Sequence, residues 1–325
     1  MTWTWWSIRA FAAQFFLDFT MEETMPTQEK TVSLVLGSGG ARGLTHIGII
    51  QWLEENGYRI QSVSGCSMGA LVGGIYAAGK LDEFQQWVRA ISKLDIVMFL
   101  DISFTRGGFV KGEKIIQALK ELVGEHLIEE LPISFTAVAT DLEREKEVWI
   151  HTGPLFDAIR ASISLPFFFT PYKYHGITLI DGGVLNPVPI APTFHDATDL
   201  TIAVNLGGPP IPIHEKPDKN VQETSESTPF QEKIQQFLSR LAPSKRPDEP
   251  EDNWGMQRIA SQSFDAMQGT IARQKLAAYP PDIVIEIARN ICGTLEFHRA
   301  DEMIALGYEK AQKSLSNLNE KHILP

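Results

Sequence analysis

The chain has 325 residues, of which 43% are hydrophobic and 21% charged, a globular composition that excludes a disordered or fibrous protein. Its 29 basic and 40 acidic residues give a formal net charge of −11, which repels phosphate backbones and argues against nucleic acid as a partner. The two cysteines, Cys66 and Cys292, lie in no CxxC pair or zinc-like histidine pattern, so we expect a reducing compartment, no metal and no cofactor.

Residues 1–30 form a segment rich in Trp and Phe. Its apolar runs are too short to span a bilayer. Arg9 lies inside the apolar stretch and Glu22 and Glu23 follow it, an order of charges unlike that of a secretory signal. We interpret residues 1–30 as an N-terminal extension, with a short amphipathic interfacial helix as the alternative. The corresponding expectation is a cytoplasmic protein, with peripheral membrane contact as the alternative.

After this extension, the pattern of strand, glycine loop and helix repeats along the chain, which predicts an α/β domain with a mainly parallel sheet. Alternating and continuous apolar runs predict strands, and apolar residues at helical spacing predict helices. The predicted strands are residues 31–36, 60–64, 133–139, 148–150, 177–180, 200–204 and 283–287. The predicted helices are residues 44–55, 70–78, 257–275 and 299–318.

The composition divides the chain into a core, an insertion and a C-terminal part. Residues 31–206 form the predicted catalytic core. Residues 207–253 are crowded with Pro, Glu, Lys, Asp and Ser, which predicts an acidic, Pro-rich surface insertion. Residues 254–325 return to a helical pattern and are predicted to complete the same domain.

The candidate nucleophile is Ser67, in the sequence Gly65-Cys66-Ser67-Met68-Gly69, which fits G-x-S-x-G. In this motif a serine is held on a sharp turn from strand to helix, and glycines on either side relieve crowding. The helix N-terminus that follows favours negative charge at the serine. Ser67 is therefore predicted to be a nucleophile, and the alternative is an ordinary glycine-rich turn.

A second glycine loop, Gly37-Ser38-Gly39-Gly40-Ala41-Arg42-Gly43, follows the first predicted strand. A dinucleotide-binding fingerprint would require glycine where Arg42 stands, which argues against a nucleotide site. The same backbone amides can hold an oxyanion instead, with Gly39, Gly40 and Ala41 as candidate donors. Arg42 either adds positive charge to this oxyanion hole or forms a structural ion pair.

The serine needs a base, and two classes of residue are candidates. Asp181-Gly182-Gly183 places an aspartate where a predicted strand meets a turn, although the motif alone is also typical of an ordinary turn. The histidines that follow Ser67 in the chain order of an α/β-hydrolase triad are the second class. These histidines are His195, His214, His298 and His322.

Taken together, the motifs at 39–43, 65–69 and 181–183 resemble those of the patatin-like phospholipase family, as does the block Arg160-Ala161-Ser162-Ile163-Ser164-Leu165-Pro166. This resemblance implies a three-layer α/β/α sandwich with a mainly parallel sheet. It also implies a Ser67–Asp181 dyad without histidine, an oxyanion hole at Gly39 to Arg42, and hydrolysis of acyl esters in lipids through an acyl-enzyme. No metal or other cofactor is implied.

A lipid substrate needs an apolar channel, and residues 167–169 and 98–109 are the candidates for its wall and lid, with core packing as the alternative for the Phe run. Two other functions remain open. One is an esterase with a Ser-His-Asp triad, using His298 or His195. The other is a non-catalytic regulator that binds acyl chains on a patatin-like fold.

Overall fold

The computed structural model describes residues 29–91, 110–166, 168–212 and 256–321 of the chain. These residues form a mixed α/β fold in which a central eight-stranded sheet is flanked by helices, which confirms the predicted fold class. The strands are β1 (Lys30–Leu36), β2 (Tyr58–Cys66), β3 (Ser134–Asp141), β4 (Lys146–Ile150), β5 (Tyr172–Tyr174), β6 (Ile177–Asp181), β7 (Leu200–Gly208) and β8 (Ile283–Ala288).

The sheet has the order β5-β6-β3-β2-β1-β7-β8, and β4 also pairs with β3. The strands from β3 to β8 in this order are parallel, whereas β4 and β6 each pair antiparallel with β3, and β5 pairs antiparallel with β6. A parallel strand covered on both faces is apolar along most of its length. The central strand β1 shows this, since every residue from Val32 to Leu36 is buried.

Helices cover both faces of the sheet. They are α1 (Thr45–Glu55), α2 (Met68–Ala77), α3 (Leu81–Ala90), α4 (Glu113–Val123), α5 (Leu155–Ser162), α6 (Met256–Ala278) and α7 (Ala300–Lys321). Alternate side chains of a strand point to opposite faces. Accordingly, Leu34 and Leu36 join the main core with all of these helices except α6, whereas Val35 joins a smaller core with Ala272 of α6.

Strand β3 sets the distance between the ends of β2 and β6. Val138 pairs with Cys66, the last residue of β2, and Ala139 pairs with Asp181, the last residue of β6. Residues 137 to 141 pair with β4 on the opposite edge, so β2 and β6 share one edge of β3. The residue after β2 and the last residue of β6 therefore meet side by side.

Most predicted elements are present, with shifted ends. The predicted strand 60–64 extends to Cys66, and the strand predicted to end at residue 204 continues to Gly208. Three helices, α3, α4 and α5, had no predicted counterpart. Residues 1–28 and 213–255, which hold most of the N-terminal extension and of the insertion, lie outside the described residues. Within the described ranges, no helix has the length and apolar character needed to cross a membrane.

Candidate active site

Ser67 occupies the sharp turn between β2 and α2. Its backbone has φ 56° and ψ −123°, a conformation that residues other than glycine rarely adopt. A Cβ on Gly65 would lie 2.4 Å from the Gly69 carbonyl oxygen, and a Cβ on Gly69 would lie 2.0 Å from that of Leu36. Both flanking positions thus exclude a side chain, which is the crowding that the G-x-S-x-G motif relieves.

The structure brings Ser67 and Asp181 into direct contact. Ser67 Oγ donates a hydrogen bond to Asp181 Oδ2 at 2.5 Å. Asp181 is completely buried and Ser67 is 7% exposed. The second carboxylate oxygen, Oδ1, accepts the backbone N–H of Gly183 at 2.7 Å and lies 3.9 Å from the thiol of Cys66. One carboxylate oxygen therefore faces the serine while the other is held by the protein.

Burial changes the acidity of this carboxylate. Desolvation raises the pKa of Asp181 from 3.8 to about 6, against the opposing effect of hydrogen bonds from Ser67, Gly183 and Cys66. A carboxylate with a higher pKa is a stronger base, yet this one is still mostly ionised at neutral pH. Asp181 can therefore accept a proton from Ser67 more readily than an exposed aspartate could.

Two serines in the block at 160–166 hold the backbones of this pair, a role that the sequence did not predict. Ser162 Oγ accepts the backbone N–H of Ser67 at 2.9 Å and donates to the Val138 carbonyl at 2.7 Å. The carbonyl of Ser164 accepts the backbone N–H of Asp181 at 2.9 Å. The end of α5 and the residues directly after it thus fix both backbones, and the resemblance of this block to a family segment was the signal that could have indicated this role.

Arg160 stabilises the same block, residues 160–166, through its side chain. Its buried guanidinium donates to Ser164 Oγ at 2.6 Å and to the Thr170 carbonyl at 3.1 Å. It also lies 5.5 Å from the ring centroids of Phe169 and Tyr172, within the range of cation–π attraction. Arg160 thereby ties the chain that supports Asp181 to the aromatic residues that follow it.

The first glycine loop lies beside Ser67, but its amides differ in availability. Gly40 has φ 57°, and a Cβ there would lie 2.5 Å from the Thr294 carbonyl oxygen. The N–H of Ala41 donates to that carbonyl at 2.9 Å, which argues against the predicted role of Ala41 as an oxyanion donor. Among the described residues, no hydrogen bond uses the N–H of Gly39 or Gly40, so these two amides remain the candidates.

Met68 supplies a further candidate donor that the sequence analysis did not name. It is the first residue of α2, so its amide lies outside the intrahelical hydrogen-bond pattern. In serine hydrolases with this turn, the amide after the nucleophile commonly contributes to the oxyanion hole. The motif alone could have indicated Met68.

Arg42 has a structural environment. Its buried guanidinium donates to the Arg289 carbonyl and lies 4.0 Å from Asp265 of α6. It is absent from the lining of the cavity that contains Ser67. Of the two roles considered from sequence, this geometry favours the structural ion pair over charge supplied to an oxyanion.

Ser67 opens into an apolar cavity of about 120 Å³. The cavity lies between α2, α3, α4 and the segment that follows α5, and Gly40 and Thr294 line it near the serine. Its apolar lining includes Leu71, Phe84, Leu119, Ile163, Phe168 and Phe297. Phe168 and Phe169 thus line the cavity, which supports the wall interpretation, whereas Phe167 and residues 98–109 lie outside the described residues.

The described histidines do not pair with Ser67. His195 and His298 are exposed, and neither has a recorded contact with the serine. His46 is buried and bonds the Gly37 carbonyl at 2.9 Å, and burial lowers its pKa to about 4. His214 and His322 lie outside the described residues. In the described part of the chain, no three His, Cys, Asp or Glu residues are grouped as metal ligands would be.

The fold and site together define an α/β protein with a serine on a strand-to-helix turn, a buried aspartate beside it and an apolar cavity at its hydroxyl. The sequence model described as Patatin-like phospholipase matches residues 34–194. An uncharacterized NTE family protein of Mycobacterium tuberculosis is 41% identical over 327 residues, covering 87% of this chain and 91% of that protein. This chain belongs to the patatin-like phospholipase family.

Two further similarities are more distant. Lysophospholipase NTE1 of Pyricularia oryzae is 30% identical over 303 residues, covering 91% of this chain but only 19% of that protein. The crystal structure of VipD from Legionella pneumophila aligns with a TM-score of 0.42 and 15% identity, covering 89% of this chain and 67% of that one.

Proposed function

We propose that this protein is a lipid acyl hydrolase that uses Ser67 as nucleophile and Asp181 as its base. The observation that carries the proposal is the 2.5 Å hydrogen bond between the buried carboxylate of Asp181 and the Oγ of Ser67, a residue that lines an apolar cavity. A buried carboxylate of raised pKa suits general base catalysis, and the cavity suits an acyl chain.

In the proposed reaction, Asp181 takes the Ser67 proton as the serine oxygen attacks the ester carbonyl. The negative charge on the carbonyl oxygen is held by the amides of Gly39, Gly40 and Met68. Collapse of the tetrahedral intermediate breaks the ester bond, and Asp181 returns the proton to the departing alcohol. Water then attacks the acyl-enzyme as Asp181 takes its proton, and Asp181 returns that proton to the departing Ser67 oxygen as the fatty acid is released.

The substrate class that we propose is a single-chain acyl lipid of the lysophospholipid type. The cavity at Ser67 is lined almost entirely by apolar side chains, which suits one acyl chain and leaves the polar alcohol part outside. The similarity to the Pyricularia oryzae protein named lysophospholipase supports the same class.

We also propose that the protein acts in the cytoplasm and meets lipid surfaces only peripherally. Both cysteines, Cys66 and Cys292, are free and buried, which is compatible with a reducing compartment. Fractionation of cells that express the tagged full chain tests this. Recovery mainly in the soluble fraction, with a salt-extractable remainder on membranes, is expected, and recovery only with detergent would contradict it.

The function is tested by hydrolysis of a lysophospholipid, a diacyl phospholipid and a short-chain nitrophenyl ester. We expect Ser67→Ala and Asp181→Asn to abolish turnover and His298→Ala, at an exposed residue, to leave it near the wild-type rate. Loss of activity in His298→Ala would instead support the Ser-His-Asp alternative. A folded wild type that binds fatty acid but turns over none of the three esters would support the regulator.

A further inference from the structure

The helix α6, which follows the insertion, contacts both loops of the candidate active site. Gln268 is half-buried on this helix, and its Nε2 donates to the Gly183 carbonyl at 3.0 Å. The same Nε2 lies 3.5 Å from Ser38 Oγ, in the loop that carries Gly39 and Gly40. One side-chain amide therefore joins the aspartate loop to the oxyanion loop.

Gly183 is the link between Gln268 and the catalytic carboxylate. Its N–H donates to Asp181 Oδ1 at 2.7 Å, and its carbonyl accepts from Gln268. Within the described residues, no second donor to this carbonyl is recorded. A Cβ on Gly183 would lie 2.5 Å from Gln268 Nε2 and 2.6 Å from Ser38 Oγ, so the three groups are in tight contact.

We infer that Gln268 is a positioning residue for the Ser67–Asp181 pair. By holding the Gly183 carbonyl, it keeps the Gly183 N–H on Asp181 Oδ1 and leaves Oδ2 facing Ser67. By reaching Ser38, it keeps the amides of Gly39 and Gly40 at a constant distance from the carboxylate. The inference rests on the proposed roles of Ser67 and Asp181 and adds a residue that the sequence motifs do not contain.

The packing of α6 does not depend on Gln268 alone. Lys275 pairs with Glu147 at 2.5 Å, and Ala272 is buried against the sheet. Asp265 lies 4.0 Å from Arg42 on the same side of the helix as the first loop. None of these contacts involves Gln268, so a loss of activity can be separated from a loss of folding.

The groups around Asp181 determine how its titration affects the pH–rate profile. Oδ2 faces the hydroxyl of Ser67, and Oδ1 faces the Gly183 amide and the Cys66 thiol. Glu147 also acts electrostatically on the Cys66 thiol and is neutralised by Lys275. Because the Gly183 hydrogen bond lowers the pKa of Asp181, its loosening would raise that pKa.

The test is the rate at which an alkyl fluorophosphonate labels Ser67, measured from pH 4.5 to 9 by intact-protein mass spectrometry, with Ser67→Ala as the blank. This reaction forms a bond from the serine oxygen to phosphorus and releases fluoride, so it needs no knowledge of the natural lipid. Gln268→Met keeps the size of the side chain and removes the donor, and Gln268→Glu replaces the donor with a carboxylate. Gln274→Met and Gln274→Glu make the same changes at an exposed position of α6.

We expect both Gln268 variants to label about tenfold more slowly, because small displacements of reacting groups are costly. In the Gln268 variants we also expect the acid limb of the pH–rate profile to move up by about half a pH unit. The Gln274 variants should match wild type. Wild-type rate and profile in a folded Gln268 variant would overturn the inference. A lower labelling rate would also overturn it if the acid limb of the pH profile did not move and thermal stability fell to a matching extent. That combination would indicate a structural role only.

The two proposals fail in distinguishable ways. If the wild-type protein is labelled at Ser67 but hydrolyses no lipid, the proposed function is wrong, and the labelling rates still test the positioning role of Gln268. A wild type that does not label at all would overturn the positioning role, because no activated serine would exist. If Gln268→Met does not fold, Gln268→Glu, which keeps the shape of the side chain and removes the donor, decides the outcome.

Discussion

Ser67 donates its hydroxyl proton to Asp181 Oδ2 across 114 positions of the sequence, at a distance of 2.5 Å. The contact depends on the register of β3, where Val138 pairs with Cys66 and Ala139 pairs with Asp181. Neighbouring residues of one strand therefore align the end of β2 with the end of β6. The remaining freedom of the pair is removed by Ser162 and Ser164, which hold the two backbones.

The pH dependence of turnover should report the protonation of Asp181. Burial raises the pKa of this carboxylate to about 6, and the proposed base must be ionised to accept a proton. We expect kcat/KM for a short-chain ester to be constant above neutral pH and to fall about tenfold per unit below pH 6. A profile that stays flat down to pH 4.5 would contradict the role of Asp181 as the base.

The raised pKa of Asp181 also predicts how the free energy of unfolding depends on pH. The folded pKa of Asp181 is about 6, above its ordinary value of 3.8, so the folded state binds this proton more tightly than the unfolded state does. Its contribution to stability is therefore present below pH 4 and is lost as the pH rises through 6. The loss amounts to about 2 to 3 kcal/mol, at 1.36 kcal/mol per pKa unit.

This stability prediction is measured as a difference between two proteins. The free energy of unfolding of wild type minus that of Asp181→Asn should fall between pH 4 and pH 8, and other titrating groups cancel in the subtraction. Urea unfolding at four pH values gives the curve. A difference that does not change with pH would mean that the carboxylate has an ordinary pKa in the folded protein.

Ser162→Ala should damage both stability and activity. The change leaves the backbone N–H of Ser67 and the carbonyl of Val138 without their partner in a fully buried position. We expect a loss of about 1 to 3 kcal/mol in the free energy of unfolding, together with a lower kcat, because the strained serine backbone is no longer held. Ser134→Ala, at an exposed serine on β3, is the control and should change neither quantity.

Phe168→Ala should change the acyl-length preference of the enzyme. Phe168 lines the cavity at Ser67, and its removal enlarges the space for an acyl chain. Turnover of nitrophenyl esters from four to sixteen carbons, expressed as kcat/KM, should shift toward longer or bulkier chains. Phe194→Ala removes a phenylalanine that is 55% exposed and away from the cavity, and it should keep the wild-type profile. An unchanged profile in folded Phe168→Ala would rule out its role in the wall.

The sequence by itself indicated the elements that local patterns encode. Strand β1, the turn at Ser67 and the helix α1 follow from apolar runs, glycines and helical spacing, which depend on neighbours in the chain. It also indicated Ser67 and Asp181 as candidates, because each stands where a strand ends. Helices α3 and α4 show that local patterns do not predict every element, since neither helix was predicted from the sequence.

Only the tertiary structure decided how these candidates relate to one another. The pairing of Asp181 with Ser67, the use of the Ala41 amide by Thr294 and the contact of Gln268 with Gly183 all join residues far apart in the chain. Such contacts depend on strand register and helix packing, which arise from the burial of many side chains at once. No local pattern encodes them, and for that reason the contact between Ser67 and Asp181 and the availability of each amide became clear only in the folded chain.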